Sequence, residues 1–246
     1  MANTMTVRAH DAIPYAEGSE LLFPALSCQI AEVGLTCLVG PYRAQLRAYL
    51  LMLAGIYRPL AGEVDVLGQT ISALNLLQWR KLRSQIGYLS GTASLQSTQH
   101  GLMNVMLPAL YHAKRPFQET LDKAQALLRE LNCEFEFTAF PAQLSSFQKS
   151  QLALARALIL DPALLIMDVP FNDLGAKERE KMGRLLGKYP QHRAVCMIGG
   201  LQYIHFLEQH ADQIIFISEH KIITFNGWRS FTQTEDPDVQ DLLSVL

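Results

Sequence analysis

Leu144-Ser-Ser-Phe-Gln-Lys-Ser-Gln-Leu-Ala-Leu-Ala-Arg-Ala-Leu158, followed by Asp161-Pro-Ala-Leu-Leu-Ile-Met-Asp-Val-Pro-Phe171, is the stretch that decides the fold. Its first part reads as a helix. Its second part opens on an Asp-Pro turn and runs into an apolar strand over 163–167, ended by Asp168. A matching signal lies upstream. Residues 35–39 form a short, mostly apolar run that suits a buried parallel strand, ended by Gly40. Pro41 follows, and 43–56 reads as a strong helix, with Pro at the first helical position and Gly at the cap as start signals. A strand, a glycine turn and a helix hold phosphate in many α/β proteins, and a second apolar strand then ends in a magnesium-binding Asp.

Working outward, residues 5–8 and 20–30 read as strands, with a turn over 15–19. Residues 61–69 form a strand–turn signal, and 85–90 another strand. The span 92–160 looks mainly helical, with 118–131 amphipathic. A charged helix over 176–189 precedes two apolar strands at 194–198 and 213–217, with a helix between them. Strands alternating with helices predict a mainly parallel sheet covered on both faces. The whole, 1–246, is expected to be one domain carrying an inserted helical subdomain at 92–160.

Composition sets outer bounds. The chain has 246 residues, 49% of them apolar and 18% charged, with net charge −2. It is long and apolar enough for a full core, and it lacks the global basic field of a general nucleic-acid binder. The longest strictly apolar run is the ten residues 48–57, about half a membrane span. Residues 1–10 lack the apolar centre of a signal peptide, so a cytoplasmic protein with a partner-covered surface is expected. Cys28, Cys37, Cys133 and Cys196 show no ligand spacing and read as free thiols, mostly with apolar neighbours.

In this order the motifs resemble the nucleotide-binding subunit of an ABC transporter, over nearly the whole chain. Residues 151–171 are the most specific part; Gly40-Pro41 with Leu53-Ala-Gly55 match the flanks of that family's phosphate loop. The resemblance implies the ABC ATPase fold: an α/β core, an antiparallel β subdomain and an inserted helical subdomain. It also implies ATP and magnesium as cofactors. Tyr15 lies where the family stacks an aromatic on adenine, although packing against a strand explains it equally well. Residues 103–110 are similar to a stretch of lipid- and lipoprotein-handling members, and the tail from Lys221 to Leu243 resembles the Mce-associated (Mla-type) phospholipid-transport ATPases.

The departures say more. The family's phosphate loop runs G-x-x-G-x-G-K-[ST], and here the span reads Gly40-Pro-Tyr-Arg-Ala-Gln-Leu-Arg47. Arg43 and Gln45 replace glycines, which supply positive φ and close backbone approach. Leu46 stands in place of the lysine that reaches phosphate, and Arg47 in place of the hydroxyl that ligates magnesium. The helix is expected to start right after Gly40-Pro41, winding up the loop. Arg43 and Arg47 read either as a weak anion site at a helix start or as solvated or partner-bound cations.

Asp168 keeps the family's magnesium-binding position and its weak metal role, or is now only a strand-end carboxylate. Val169 replaces the catalytic glutamate and cannot polarise water. Gly91, or Ser90 on a one-residue shift, stands for the Q-loop glutamine. No histidine occurs over 199–202, where the switch histidine is expected, and Gly175 replaces the D-loop aspartate. The signature loop reads Leu144-Ser-Ser-Phe-Gln148: Ser145 and Gln148 remain, while Phe147 either obstructs closure or fills a vacant space.

Support residues are kept and chemistry residues are mostly gone, which predicts a subunit with no intact catalytic residue. Its expected partners are a transmembrane permease subunit, a second ATP-binding subunit and a Mce-type lipid-binding subunit; nucleic acid is not among them. The alternatives are an active, divergent ATPase and a scaffold protein that uses the fold only to bind another protein.

Overall fold

A computed structural model describes residues 5–15, 22–91, 94–112, 116–169, 173–199 and 203–244. The strands in chain order are β1 (Met5–Pro14), β2 (Leu26–Ala31), β3 (Gly34–Val39), β4 (Pro59–Val66), β5 (Gln69–Thr70), β6 (Ile86–Leu89), β7 (Leu164–Met167), β8 (Ala194–Ile198), β9 (Ala211–Ile217) and β10 (Ile222–Phe225). The helices are α1 (Arg43–Leu53), α2 (Leu76–Arg83), α3 (Gly101–His112), α4 (Phe117–Glu130), α5 (Ser146–Leu158), α6 (Ala176–Leu186), α7 (Ile204–His210), α8 (Gly227–Thr232) and α9 (Pro237–Ser244). Contacts divide the chain into two compact units, Met1–Trp79 with Tyr189–Leu246, and Arg80–Lys188.

The first unit holds an antiparallel sheet in the order β2-β1-β4-β5. Its strand β2 alternates buried and exposed residues from Leu26 to Ala31, the pattern of a sheet with one wet face. The β4–β5 turn is Leu67-Gly68, with φ of 50° and 73°; two positive φ values match the right-handed twist of a hairpin. The same unit holds β10-β9-β3-β8, where β3 runs parallel to both β8 and β9 and β10 turns back antiparallel. Nearly every residue of β3 and β8 is buried, as expected of strands covered on both faces.

Three expectations need correction here. The strand expected over 20–30 is only Leu26–Ala31; 20 and 21 lie outside the described residues, and 22–25 are not strand. Pro24 cannot donate to a ladder, and its carbonyl instead accepts from the Tyr49 hydroxyl. The helix expected over 43–56 ends at Leu53. Gly55 there adopts φ 60°, with Gly55 N bonded to Met52 O and Ile56 N to Leu51 O, a left-handed stop that glycine favours. Finally, α1 does not start directly after Pro41, because Tyr42 is its N-cap residue. The turn expected over 15–19 lies outside the described residues apart from Tyr15.

The second unit pairs β6 parallel to β7 and packs α3, α4 and α5 on one another. Its polar residues serve the backbone. The Asn104 side chain, wholly buried, accepts from Gln96 N and donates to the carbonyls of Gln96, Gln99 and His100. Gln151 likewise donates to Leu131 O and Asn132 O. These bonds tie buried side-chain amides to backbone groups of the neighbouring turns.

The antiparallel sheet, the parallel strands and the helical region are those of the ABC ATPase fold. No helix among the described residues is long and apolar enough to cross a membrane. All four cysteines are free. Burial pushes the Cys28 and Cys133 thiols up to about 12 and raises those of Cys37 and Cys196 as well, which makes them poor nucleophiles.

Candidate functional site

The candidate residues fall in three places: the β3–α1 junction in the first unit, the end of β7 in the second, and the start of α5, also in the second.

At the β3–α1 junction, close approach of neighbouring backbone requires glycine at position 40. A Cβ built there would lie 2.1 Å from Ile217 O and 3.3 Å from Leu46 Cδ2. None of residues 40–47 has positive φ. The chain passes from Tyr42, φ −111°, into helix at Arg43, and the Tyr42 side chain makes no cap bond. Leu46 N already donates to Tyr42 O at 3.1 Å, so the first turn is closed by the backbone itself. Leu46 is 2% exposed and Gln45 is wholly buried. The Gln45 side-chain amide donates to Leu22 O at 2.6 Å and to Ser218 O at 3.1 Å. It therefore stitches helix α1 to two otherwise distant pieces of chain. Arg43 and Arg47 are exposed, one turn apart on the outer side of the same helix. Tyr15, just past β1, is about half exposed.

At the end of β7, Asp168 is buried. Its backbone N–H donates to Leu89 O at 2.9 Å, and its Oδ2 accepts from the Tyr88 hydroxyl at 3.2 Å. Both partners sit on β6, the parallel neighbour of β7. Val169 is buried and adopts φ 45°, a conformation rare and costly for a β-branched side chain. Residues 170–172 lie outside the described residues. Ser90 Oγ lies 3.1 Å from Ser94 Oγ, beside Gly91.

At the start of α5, Ser145 and Gln148 form a reciprocal cap. Gln148 N donates to Ser145 Oγ at 3.2 Å, and Ser145 N donates to Gln148 Oε1 at 2.9 Å. The S-x-x-Q spacing writes this capping box directly into the sequence. Phe147 carries the Lys181 ammonium 5.8 Å from its ring centroid, within cation–π range. Gly175 is the N-cap residue of α6, its N–H donating to Glu178 Oε2. Of the span expected to hold the switch histidine, Gly199 is described and 200–202 are not. His205 is exposed, 3.9 Å from Glu208, and the His210 ring packs 4.9 Å from Phe206.

Three residues escaped the sequence reading as participants. Tyr88 bonds the Asp168 carboxylate, and only the β6–β7 register reveals it. In the sequence Gln45 reads as a replaced glycine rather than as a stitch, and nothing there marks Ser218 as its acceptor. The signal for Gln45 would have been a polar residue inside the buried stripe of α1.

The chain's likeness to known proteins can be set against this geometry. The family model described as ABC transporter matches residues 48–172. The sulfate/thiosulfate import ATP-binding protein CysA of Vibrio vulnificus (strain CMCP6) is 27% identical over 205 residues, covering 82% of this chain and 56% of that protein. The lipoprotein-releasing system ATP-binding protein LolD of Cytophaga hutchinsonii is 33% identical over 160 residues, 65% of this chain and 72% of that one. A dimeric ATP-binding cassette in a post-hydrolysis state, bound to ADP and Pi, superposes with a TM-score of 0.76 at 23% identity, covering 90% of this chain and all of the other. The last likeness is one of fold. The chain spans little more than half the length of the import protein it matches.

Proposed function

This chain belongs to the ABC transporter family, and from that premise we propose that it is a nucleotide-binding-domain subunit without ATP hydrolysis of its own. In this reading it serves as structural or regulatory partner to a competent ATPase chain and to transmembrane permease subunits, at the cytoplasmic face of the inner membrane. The cargo class is lipid, with a Mce-type lipid-binding subunit as a further partner. Likeness to a lipoprotein-releasing ATP-binding protein supports that class, together with the resemblance of residues 103–110 and of the tail.

One observation carries the reading: Leu46 is a core residue, 2% exposed and packed on Gly40. A triphosphate needs an open loop of backbone N–H groups and a cation that reaches it. Residues 40–47 offer a closed first helical turn and a buried leucine, and Gln45 is committed to two carbonyls. These residues do not fit ATP and magnesium. Val169 has no proton-accepting group with which to activate water. Ser145 and Gln148, by contrast, are ordered at the start of α5, and this reading has them face nucleotide held by a competent partner chain.

A second reading, an active and divergent ATPase, draws on Asp168 at the end of β7 and on Arg43 or Arg47 standing in for the lysine. Titration calorimetry with ATP and magnesium separates the two. The expected result is no binding heat with nucleotide in large excess, and no phosphate release. Turnover at transporter-like rates that Asp168→Asn abolishes would establish the second reading instead. Co-purification with an integral membrane subunit would exclude a scaffold without membrane partners.

A further inference from the structure

The charges of this chain are unevenly placed. Between Val66 and Gln118 the sequence contains Arg80, Lys81, Arg83, Lys114 and Arg115 and none of the chain's 23 acidic residues. A protein with net charge −2 thus carries one long acid-free, cationic stretch. Helix α2 concentrates it. Trp79 and Leu82 turn inward and are buried. The rest of the helix is exposed, and it holds Leu76, Leu77, Gln78, Arg80, Lys81 and Arg83. Leu76 and Leu77 are 85% and 77% exposed, the two highest values among the large apolar side chains described.

The cations are backed by aromatic surface. Arg80 donates to Tyr111 O at 2.8 Å, and its guanidinium lies 4.5 Å from the centroid of the Tyr111 ring. Tyr111 is itself exposed and meets the His112 ring edge-on at 4.7 Å. Burial holds His112 below the ordinary histidine range, and Arg80 and Arg83 lower it further, so this corner stays cationic through the arginines rather than the imidazole.

We infer that the outer face of helix α2, with Tyr111 beside Arg80, docks on the anionic headgroup surface of a lipid bilayer. Leu76 and Leu77 enter the acyl boundary, and Arg80, Lys81 and Arg83 meet phosphate. Charge complementarity selects an anionic partner. The adjacent bare leucines select one with an apolar layer just beneath its charge, which describes a membrane surface. Nucleic acid offers no such layer to two leucines on one helical turn. The inference goes beyond the transporter reading and does not depend on it, since it requires neither nucleotide nor permease.

Sedimentation of the purified chain with lipid vesicles tests it. The chain is expected to pellet with phosphatidylcholine vesicles containing phosphatidylglycerol and not with phosphatidylcholine alone, and added salt should release it. Lys81→Gln combined with Arg83→Gln should lower the partition coefficient by about twenty-fivefold, at about fivefold per cation. Leu76→Ser combined with Leu77→Ser should also lower it. Thermal melts accompany each variant and should stay unchanged, since all four side chains are exposed. Equal binding to neutral vesicles, or undiminished binding by the charge variant, would overturn the inference. So would failure of the unmodified chain to bind anionic vesicles, which would leave the face to an acidic protein partner.

Discussion

Helices α1 and α5 begin in opposite ways. Helix α1 starts at Arg43 behind Tyr42, whose side chain caps nothing, and within its first turn Gln45 and Leu46 are already buried. Helix α5 starts at Ser146 behind Ser145, where hydroxyl and amide side chains cap each other and remain at the surface. In a nucleotide-binding protein both starts would point backbone N–H groups at phosphate. Here the first is part of the core and the second is a surface helix terminus. The difference shows that two helix starts in one chain can be satisfied in different ways, one by buried side chains and one by a surface cap. At the first, the side chains of Gln45 and Leu46 are absorbed into packing.

That comparison can be broken most forcefully at Leu46. Leu46→Lys puts an ammonium at a residue that is 2% exposed. It should lower the unfolding free energy by about 3 kcal/mol or more, read as a drop in the urea midpoint. If instead the variant keeps its midpoint and gains ATP binding by calorimetry, the start of α1 is a dormant loop and the contrast collapses. Next in size is Gln45→Ala. It deprives the Leu22 and Ser218 carbonyls of their donor and should cost about 2–3 kcal/mol in the same assay. A loss below that would mean the stitch between α1 and those two segments is not part of the core. The smallest effect is expected at Ser145→Ala, which removes only a cap and should cost about 1 kcal/mol. A loss as large as that of Gln45→Ala would place the start of α5 in the core as well, erasing the distinction.

Much of the fold could be read from the chain because its signals are local. The apolar runs at 35–39, 163–167 and 194–198 became β3, β7 and β8 with little change in bounds. The amphipathic stretch 118–131 became α4, Phe117–Glu130. One error came where a distant contact overrode a local pattern. Residues 22–25 read as strand until Tyr49 claimed the Pro24 carbonyl. The site shows the same division. The Ser145–Gln148 cap is a four-residue motif and visible as such, whereas the Tyr88–Asp168 bond joins residues 80 apart across two strands. The left-handed backbone at Val169 runs against its residue type, so no propensity could have announced it.

By itself, then, the sequence determined the order of strands and helices, the family resemblance and the identity of the residue at each chemical position. Helical periodicity, strand-length apolar runs and caps are all set within a few neighbours. Only the tertiary structure decided what those residues do. The Gln45 amide reaches carbonyls 23 and 173 residues away, and the Leu46 methyl closes on Gly40 beneath the end of β9. Burial of that kind is a property of where separate segments meet, and no local pattern in the chain encodes it.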